Sequence, residues 1–211
     1  MRMRNIKNSK EIVAQNPYII NEPEQYQGKM RTLFSDPSLP LHVEIGCGKG
    51  DFVIAMALRH PEINFIGIEK FDKVMVRVVK KLEQVDFLPN LKLIRMDAMD
   101  IDQVFDHEID LLYLNFSDPW PKDSHAKRRL TSPVFLKKYE GIFSFKQVIY
   151  MKTDNLPLFE YSLEQFLENG YTLQNITYDL HSECKADNVV TEYEEKFSKL
   201  GETIKRLEAI K

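Results

Sequence analysis

Cysteine is scarce in this sequence of 211 residues, which has only Cys47 and Cys184. The two stand far apart and lack the close spacing of metal-binding cysteines. A disulfide framework and a zinc cluster are therefore not expected, and a reducing compartment suits this composition. We expect no metal cofactor.

Long apolar runs are also lacking. No stretch approaches the roughly 20 residues of a membrane span. The start, MRMRNIKNSKEI, is basic but has no apolar segment of the kind found in signal peptides. We therefore expect no membrane partner and a cytoplasmic location. The sequence also has no internal repeat and no low-complexity segment.

Positive charge is not in excess, since 29 Lys and Arg residues face 32 Asp and Glu residues and the net charge is −3. The global field does not favour a polyanion, so any nucleic-acid binding needs a local basic patch. The length suits one globular domain with a sizeable core. Nothing in the sequence reports a subunit interface, and the oligomeric state is left open.

The order of polar and apolar segments predicts an α/β fold. Residues 1–40 are polar and proline-containing, and they are interpreted as an N-terminal arm with little core. Residues 41–211 are expected to form a single domain in which strands alternate with helices. Strands are predicted at 41–45, 63–69, 91–96, 109–116 and 147–152, with two more within 171–180 and 203–210. Helices are predicted at 51–60, 71–85, 132–143 and 155–170. This pattern predicts a largely parallel seven-stranded sheet with helices on both faces, and ligands at the carboxyl ends of its strands.

The first strand runs into a glycine-rich turn, VEIGCGKGDF, that contains Gly46, Gly48 and Gly50. Such a turn lets the backbone approach a ligand closely. The spacing is G-x-G-x-G rather than the G-x-G-x-x-G of dinucleotide sites, and Glu44 would repel a pyrophosphate. S-adenosylmethionine carries a sulfonium and an amino group and no phosphate, so a nearby carboxylate favours it. Cys47 is interpreted as a small turn residue.

Two further acids follow the next two strands. Glu69 ends the second strand, where an acid commonly accepts hydrogen bonds from a ribose diol. Asp97 follows the third strand and is placed to accept from an adenine amino group. Taken alone, each acid could equally be a solvated carboxylate at the end of a strand. Three acids at successive strand ends beside a glycine turn indicate a nucleoside cofactor.

The fourth strand leads into the most informative segment, LNFSDPWPKDSHAKRRL at 114–130. Two prolines stiffen this loop and would hold Asp118 and Trp120 above the sheet. Trp120 has two interpretations, stacking on a base or packing under its own loop, and both stay open. A basic cluster follows, and it is either a solvated charge run or a phosphate-binding edge. Its members are Lys122, His125, Lys127, Arg128 and Arg129.

Together these motifs resemble the bacterial tRNA (guanine-N7-)-methyltransferases, a family with the Rossmann-like class I methyltransferase fold. The resemblance covers nearly the whole chain. It rests on EIGCGKG at 44–50, GIE at 67–69, FSDPWPK with HAKRRL at 116–130, KTDN at 152–155 and TEYEEKF at 191–197. The first two motifs occur in many methyltransferases, whereas the third and the last are specific to this family. Asp123 and Ser124 depart from the pattern, because family members often carry a more basic pair there.

The resemblance implies methyl transfer from S-adenosylmethionine to N7 of the variable-loop guanine at position 46 of tRNA. It implies tRNA as the partner and Asp118 as the catalytic acid. The implied cofactor-binding residues are Glu44, Gly46, Gly48, Gly50, Glu69, Asp97 and Asp118. The implied substrate-binding residues are Lys122, Asp154, Thr191, Glu192, Tyr193 and Glu194. The implied RNA-binding residues are Ser124, His125, Ala126, Lys127, Arg128 and Arg129.

The chemistry agrees with this resemblance. Guanine N7 has a lone pair and no proton, so the reaction needs orientation rather than a base or a nucleophile. A carboxylate at Asp118 or Asp154 could stabilise the positive charge of the product, and one of them could select guanine, but the sequence does not divide these roles. Thr191 and Glu194 also have capping-box spacing at a helix start, which is compatible with substrate contact.

Alternatives remain for the start of the chain and for the function. Arg2, Arg4, Lys7 and Lys10 form either a basic arm that orders on RNA or a disordered tail. Other functions to weigh are a methyltransferase of the same fold with another substrate, an RNA-binding module without catalysis, and a nicotinamide oxidoreductase. The basic segment, the intact glycine turn and the glycine spacing argue against these three in turn.

Overall fold

Seven strands form one sheet in the computed structural model, which describes residues 6–183 and 188–211. The sheet order is β3-β2-β1-β4-β5-β7-β6. β7 is antiparallel to both of its neighbours, and the other adjacent pairs are parallel. The strands are β1 (Leu41–Ile45), β2 (Asn64–Glu69), β3 (Leu91–Arg95), β4 (Leu111–Asn115), β5 (Val148–Thr153), β6 (Thr172–Thr177) and β7 (Lys205–Ile210). The predicted largely parallel seven-stranded sheet is confirmed.

Helices cover both faces of this sheet, as predicted. One core cluster joins the sheet to residues of α1, α2 and α3, and the other joins it to α4, α5 and α6. The helices are α1 (Ser9–Ala14), α2 (Asp51–Arg59), α3 (Asp72–Leu82), α4 (Ile101–Val104), α5 (Pro133–Tyr139), α6 (Leu156–Glu168) and α7 (Glu192–Lys199). The short helices α1 and α4 were not predicted, because each is too brief to show a helical period.

The N-terminal segment has more core than the sequence predicts. Val13, Tyr18, Met30 and Phe34 are all buried. Backbone hydrogen bonds also join this segment to the edge strand β3, one of them from Leu93 N–H to the Tyr18 carbonyl at 2.8 Å. The prediction of little core is therefore wrong for residues 6–40. Its apolar residues stand alone or in short runs such as Tyr18-Ile19-Ile20, so no helical or strand period predicts their burial. The boundary at residue 40 stays a prediction, and Arg2 and Arg4 lie outside the described residues.

A cluster of polar contacts fastens residues 28–39 near the amino end of β4. The Glu108 carboxylate accepts hydrogen bonds from the backbone N–H groups of Gly28 (3.0 Å) and Met30. The Arg31 guanidinium donates to the Glu108 carbonyl at 2.8 Å and contacts Asp110 at 2.6 Å. These contacts anchor the segment at the amino ends of the strands, opposite to the edge where ligands are expected.

Candidate active site

A cleft of about 880 Å³ opens at the carboxyl ends of β1, β2, β3 and β4. Its position is the one expected for a ligand site in a sheet of this type. Five of the predicted cofactor-binding residues line it: Gly46, Gly48, Glu69, Asp97 and Asp118. Trp120, Arg128 and Tyr193 line it as well. Glu44 and Gly50 do not.

The glycine turn needs its glycines for two different reasons. Gly46 and Gly48 line the cleft and have φ angles of +77° and +56°, a region that side chains with a Cβ rarely adopt. Gly50 also has a positive φ, +78°, and a Cβ there would lie 2.5 Å from Cγ1 of Val78. Gly50 therefore lets α2 begin close to α3, while the first two glycines shape the cleft wall.

Glu69 joins the glycine turn to the start of α3. Its buried carboxylate accepts hydrogen bonds from the backbone N–H groups of Phe71 (2.9 Å) and Gly48 (3.2 Å). Burial raises the pKa of Glu69, and these hydrogen bonds oppose the rise. The side chain is thus held in a fixed position at the cleft wall, with its oxygens oriented by the backbone.

Asp97 follows β3 and is held in a comparable way. One oxygen accepts from Met99 N–H at 3.1 Å, and the other contacts Lys70 Nζ at 2.5 Å. Partial burial raises the pKa of Asp97, but the hydrogen bonds from Lys70 and Met99 outweigh it and leave the pKa below its ordinary value. Asp97 is therefore an anion at neutral pH.

Glu44 has one carboxylate oxygen without a hydrogen-bond partner among the described residues. Its Oε1 accepts from Asn115 at 3.0 Å, whereas Oε2 is buried and unsatisfied. Burial raises the pKa of Glu44 to about 7. A buried acceptor without a donor is costly. Glu44 itself does not line the cleft, but the next two residues, Ile45 and Gly46, do.

The loop after β4 is held in an unusual conformation. Phe116 and Trp120 have φ angles of +52° and +42°, which cost non-glycine residues roughly 1–3 kcal/mol each. Arg129 supports the loop: its guanidinium donates to the carbonyls of Pro119 (3.2 Å) and Trp120 (3.1 Å) and lies 4.3 Å from the ring centre of Tyr161. Arg129 was expected to contact RNA, and the structure gives its side chain a role inside the protein.

Trp120 packs against its own loop, the second of the two interpretations. The Arg128 guanidinium lies 4.8 Å from the ring centre, and the His125 ring lies 5.7 Å away, edge-on. The indole also lines the cleft. Trp120 therefore connects the cleft wall to the basic segment.

The basic segment at 122–129 contains a 3-10 helix, Asp123–Arg128, beside the cleft. Lys122, Ser124, Lys127 and Arg128 are exposed, while His125, Ala126 and Arg129 are half-buried. Of the exposed cations, Arg128 lines the cleft on the side of β4. Their predicted contacts with RNA stay predictions.

Tyr193 and Asp118 line the same cleft, and Asp154 lies near the Tyr193 hydroxyl. Burial, together with Asp154 and Asp118, raises the pKa of Tyr193 to about 12. The Tyr193 ring also lies 4.9 Å from that of Phe116. Segments from three distant parts of the chain thus form this wall.

Thr191 caps α7, because its hydroxyl accepts a hydrogen bond from Glu194 N–H at 3.0 Å. The Glu194 side chain does not complete a capping box. It is fully buried and contacts Lys152 at 2.9 Å, His181 at 2.9 Å and Asn188 at 2.6 Å. Lys122, Asp154, Thr191 and Glu194 do not line the cleft, and the Glu192 side chain lies outside the described residues.

Lys152 is a residue whose importance the sequence reasoning missed. It lies in the buried part of β5, and its ammonium donates to Glu194, Asn188 (3.0 Å) and the Val189 carbonyl (3.1 Å). Burial lowers the pKa of Lys152, and the Glu194 carboxylate opposes that shift. The signal in the sequence was a lysine inside an apolar strand, which suggests a buried partner but does not name it.

The described residues include neither a membrane-spanning helix nor a metal-binding cluster. No helix there is both long and apolar enough for a membrane span. No group of three or more His, Cys, Asp or Glu side chains is arranged to hold a metal ion.

Comparison with known proteins identifies the family. Residues 38–207 match the family described as "Putative methyltransferase". The chain is 49% identical to the tRNA (guanine-N(7)-)-methyltransferase of Bacillus licheniformis, an alignment that covers 99% of this chain and 98% of that protein. The enzymes of that name from Lachnoclostridium phytofermentans and Bacillus subtilis are each 47% identical, over 100% and 99% of this chain and 99% and 98% of their own. This chain belongs to the tRNA (guanine-N7-)-methyltransferase family.

Solved structures share the fold of this family member at low identity. An antibiotic-related methyltransferase matches with a TM-score of 0.64 at 12% identity, over 93% of this chain and 98% of that one. The 16S rRNA methyltransferase KamB matches with a TM-score of 0.60 at 14% identity, over 87% of this chain and 90% of that one. The predicted Rossmann-like class I methyltransferase fold and the predicted family are confirmed, and the methyl donor is S-adenosylmethionine.

Proposed function

We propose that this chain transfers a methyl group from S-adenosylmethionine to N7 of the guanine at position 46 in the tRNA variable loop, giving 7-methylguanosine. The observation that carries the proposal is a nucleoside-sized cleft whose carboxylate wall adjoins an exposed basic segment. The first feature suits the cofactor and the second suits RNA. The named activity of the relatives supports the same conclusion.

The cofactor side is assigned to the carboxylates Glu44, Glu69 and Asp97, of which Glu69 and Asp97 line the cleft. The unsatisfied Oε2 of Glu44 suits the amino group of S-adenosylmethionine, since a buried carboxylate gains most from a cationic donor. Glu69 is assigned to the ribose hydroxyls and Asp97 to the adenine amino group. When bound, the cofactor supplies a methyl group on a positively charged sulfur.

The substrate side is assigned to Asp118, Asp154 and Tyr193. Guanine N7 bears no proton, so these residues orient the base rather than deprotonate it. Asp118 lines the cleft and faces the region where the methylated base gains positive charge, and a fixed carboxylate there favours that change. Asp154, whose charge acts on the nearby Tyr193 hydroxyl, is assigned to the guanine N1–H and amino group.

The partner is tRNA, with the exposed cations of 122–129 assigned to its phosphates. Lys122, Lys127 and Arg128 are exposed, while Arg129 supports the loop. A protein with a net charge of −3 needs such a local patch. We further assign the protein to the cytoplasm and expect it to work without a metal.

The test is a methylation assay with labelled S-adenosylmethionine and unmodified tRNA transcript, followed by digestion to nucleosides. Label in 7-methylguanosine, lost when guanine 46 is replaced by adenine, is the expected result. Label in another nucleoside would contradict the proposed atom, and label that survives the replacement would contradict the proposed site. Calorimetric binding of the cofactor without any transfer to tRNA would instead favour a methyltransferase with another substrate or an RNA-binding module.

A further inference from the structure

Three positive side chains lie on one face of α3, the helix whose first turn lines the cleft through Val74: Lys73, Arg77 and Lys80. Their spacing of four and three residues places them on a common helix face. Met75, Val78 and the other buried residues of α3 occupy the opposite face. Lys80 is exposed, and Lys73 and Arg77 are half-exposed. We call these three residues the α3 surface.

The α3 surface has a net positive charge. In the described part of the chain, none of its three cations forms an ion pair, whereas two nearby acids, Asp72 and Asp51, are paired with other cations. Asp72 contacts Arg95 at 3.3 Å, and Asp51 contacts Lys81. The cations of the α3 surface are therefore available to an external anion. α1 packs against α3 and adds the exposed Lys7 and Lys10.

The α3 surface and the basic segment at 122–129 stand on opposite sides of the cleft. Lys70, Phe71 and Val74 line the cleft from the start of α3, which follows β2. Trp120 and Arg128 line it from the loop after β4. Because β1 lies between β2 and β4 in the sheet, the cleft separates two positive surfaces. An RNA whose guanosine enters the cleft would pass over both of them.

We propose that the α3 surface is a second tRNA-binding surface, which binds the phosphate backbone on the side of the cleft away from 122–129. This inference rests on the proposed function, since it requires a guanosine of tRNA in the cleft. Lys and Arg side chains that neutralise phosphates release counterions, so each contact adds affinity that falls with salt. Two surfaces would hold the RNA on both sides of the reacting base.

The experiment compares two triple variants with wild type. The test variant is K73Q/R77Q/K80Q. The matched control is K29Q/R59Q/K146Q. It removes the same charge from three exposed cations near the amino ends of the strands, away from the cleft. Filter binding of unmodified tRNA at a series of salt concentrations gives the Kd and its salt dependence. Cofactor affinity and the thermal midpoint report whether each variant is folded.

The test variant should bind tRNA about tenfold or more weakly at low salt, and its log–log salt slope should fall by roughly 2 to 3, or about 0.9 per lost phosphate contact. Its kcat at saturating tRNA should stay within about twofold of wild type, because no reacting group is changed. A Kd and slope equal to those of the control would overturn the proposal.

Two further results keep the test decisive. If the triple variant does not fold, K80Q alone changes one exposed side chain and should lower the slope by about 0.9; an unchanged slope would overturn the proposal. If wild type binds tRNA but yields no 7-methylguanosine, the proposed function fails while the comparison of binding still judges the α3 surface.

Discussion

The two walls of the cleft are built in different ways. On the wall with Glu69 and Asp97, each carboxylate accepts a hydrogen bond from a backbone N–H two residues further along the chain. On the wall with Asp118 and Tyr193, the contacts join distant segments, such as Lys152 with Glu194. The first wall follows from local sequence, whereas the second forms only when remote parts of the chain pack together. Substitutions should therefore affect the two walls differently.

The largest effect is expected from breaking the remote contact, with Lys152→Met. This change leaves the Glu194 carboxylate buried without its cationic partner, which costs about 3–5 kcal/mol of unfolding free energy. Urea unfolding measures the loss. The double variant K152M/E194Q removes both charges and should regain part of the stability. A single variant as stable as wild type would show that the ion pair does not hold this wall.

Asp118→Ala tests the chemical role of the same wall. It should lower kcat about 10²–10³-fold, the usual range for losing one group that stabilises developing charge. tRNA affinity should change little, because that affinity is expected to come mainly from cations that contact phosphates, and Asp118 is not one of them. Single-turnover kinetics and filter binding separate the two effects, and Asp118→Asn controls for shape. Equal losses in rate and affinity would make Asp118 a binding residue only.

Gly50→Ala tests the packing of α2 against α3 behind the wall with Glu69 and Asp97. A Cβ at Gly50 meets Val78 at 2.5 Å in a backbone conformation unfavourable to alanine, so a loss of roughly 1–3 kcal/mol is expected. Gly141→Ala is the matched control, since a Cβ there meets nothing within 4 Å. Thermal unfolding and cofactor calorimetry should both distinguish the two variants. Equal behaviour would mean that the turn adjusts without cost.

The smallest effect is a dependence of cofactor affinity on pH. Burial raises the pKa of Glu44 to about 7, so the site gains its negative charge as the pH rises through that value. Affinity for S-adenosylmethionine should increase several-fold between about pH 6 and pH 8. Glu44→Gln should flatten this rise, and an unaltered profile in the variant would remove Glu44 from the cofactor site.

The same pKa predicts a change in stability with the opposite sign. Between the ordinary carboxyl pKa of 4.5 and about 7, the folded protein binds the Glu44 proton more tightly than the unfolded chain does. The free energy of unfolding should therefore fall as the pH rises through this window. Urea unfolding at several pH values, compared with Glu44→Gln, isolates this contribution.

The sequence predicted the wall with Glu69 and Asp97 better than the wall with Asp118 and Tyr193, and the reason is distance along the chain. Glycines and acids at strand ends are local signals, so Gly46, Glu69 and Asp97 could be placed before the structure was known. Lys152 and Glu194 could not be paired, because nothing in the spacing of two segments 42 residues apart shows that they meet. Arg129 likewise looked like its neighbours in the basic run, and only its contacts with the loop carbonyls set it apart.

The fold showed the same difference between features set by local sequence and features set by remote contacts. Buried strands and long helices were predicted within a few residues of their observed limits, because a continuous hydrophobic pattern identifies them. The packing of residues 6–40 was missed, since single apolar residues such as Met30 are buried by contacts that are remote in sequence. Local periodicity thus predicts elements, while irregular segments require the assembled structure.

The position of β7 between β5 and β6 has a consequence for synthesis on the ribosome. β6 pairs only with β7 in the described sheet, so Thr172–Thr177 cannot join the sheet until residues 205–210 have left the exit tunnel. The strands β1 to β3, which lead to Gly46, Glu69 and Asp97, are free to assemble long before that moment. Translation therefore allows this wall of the cleft to form first, and the sheet that supports the wall with Tyr193 is completed last.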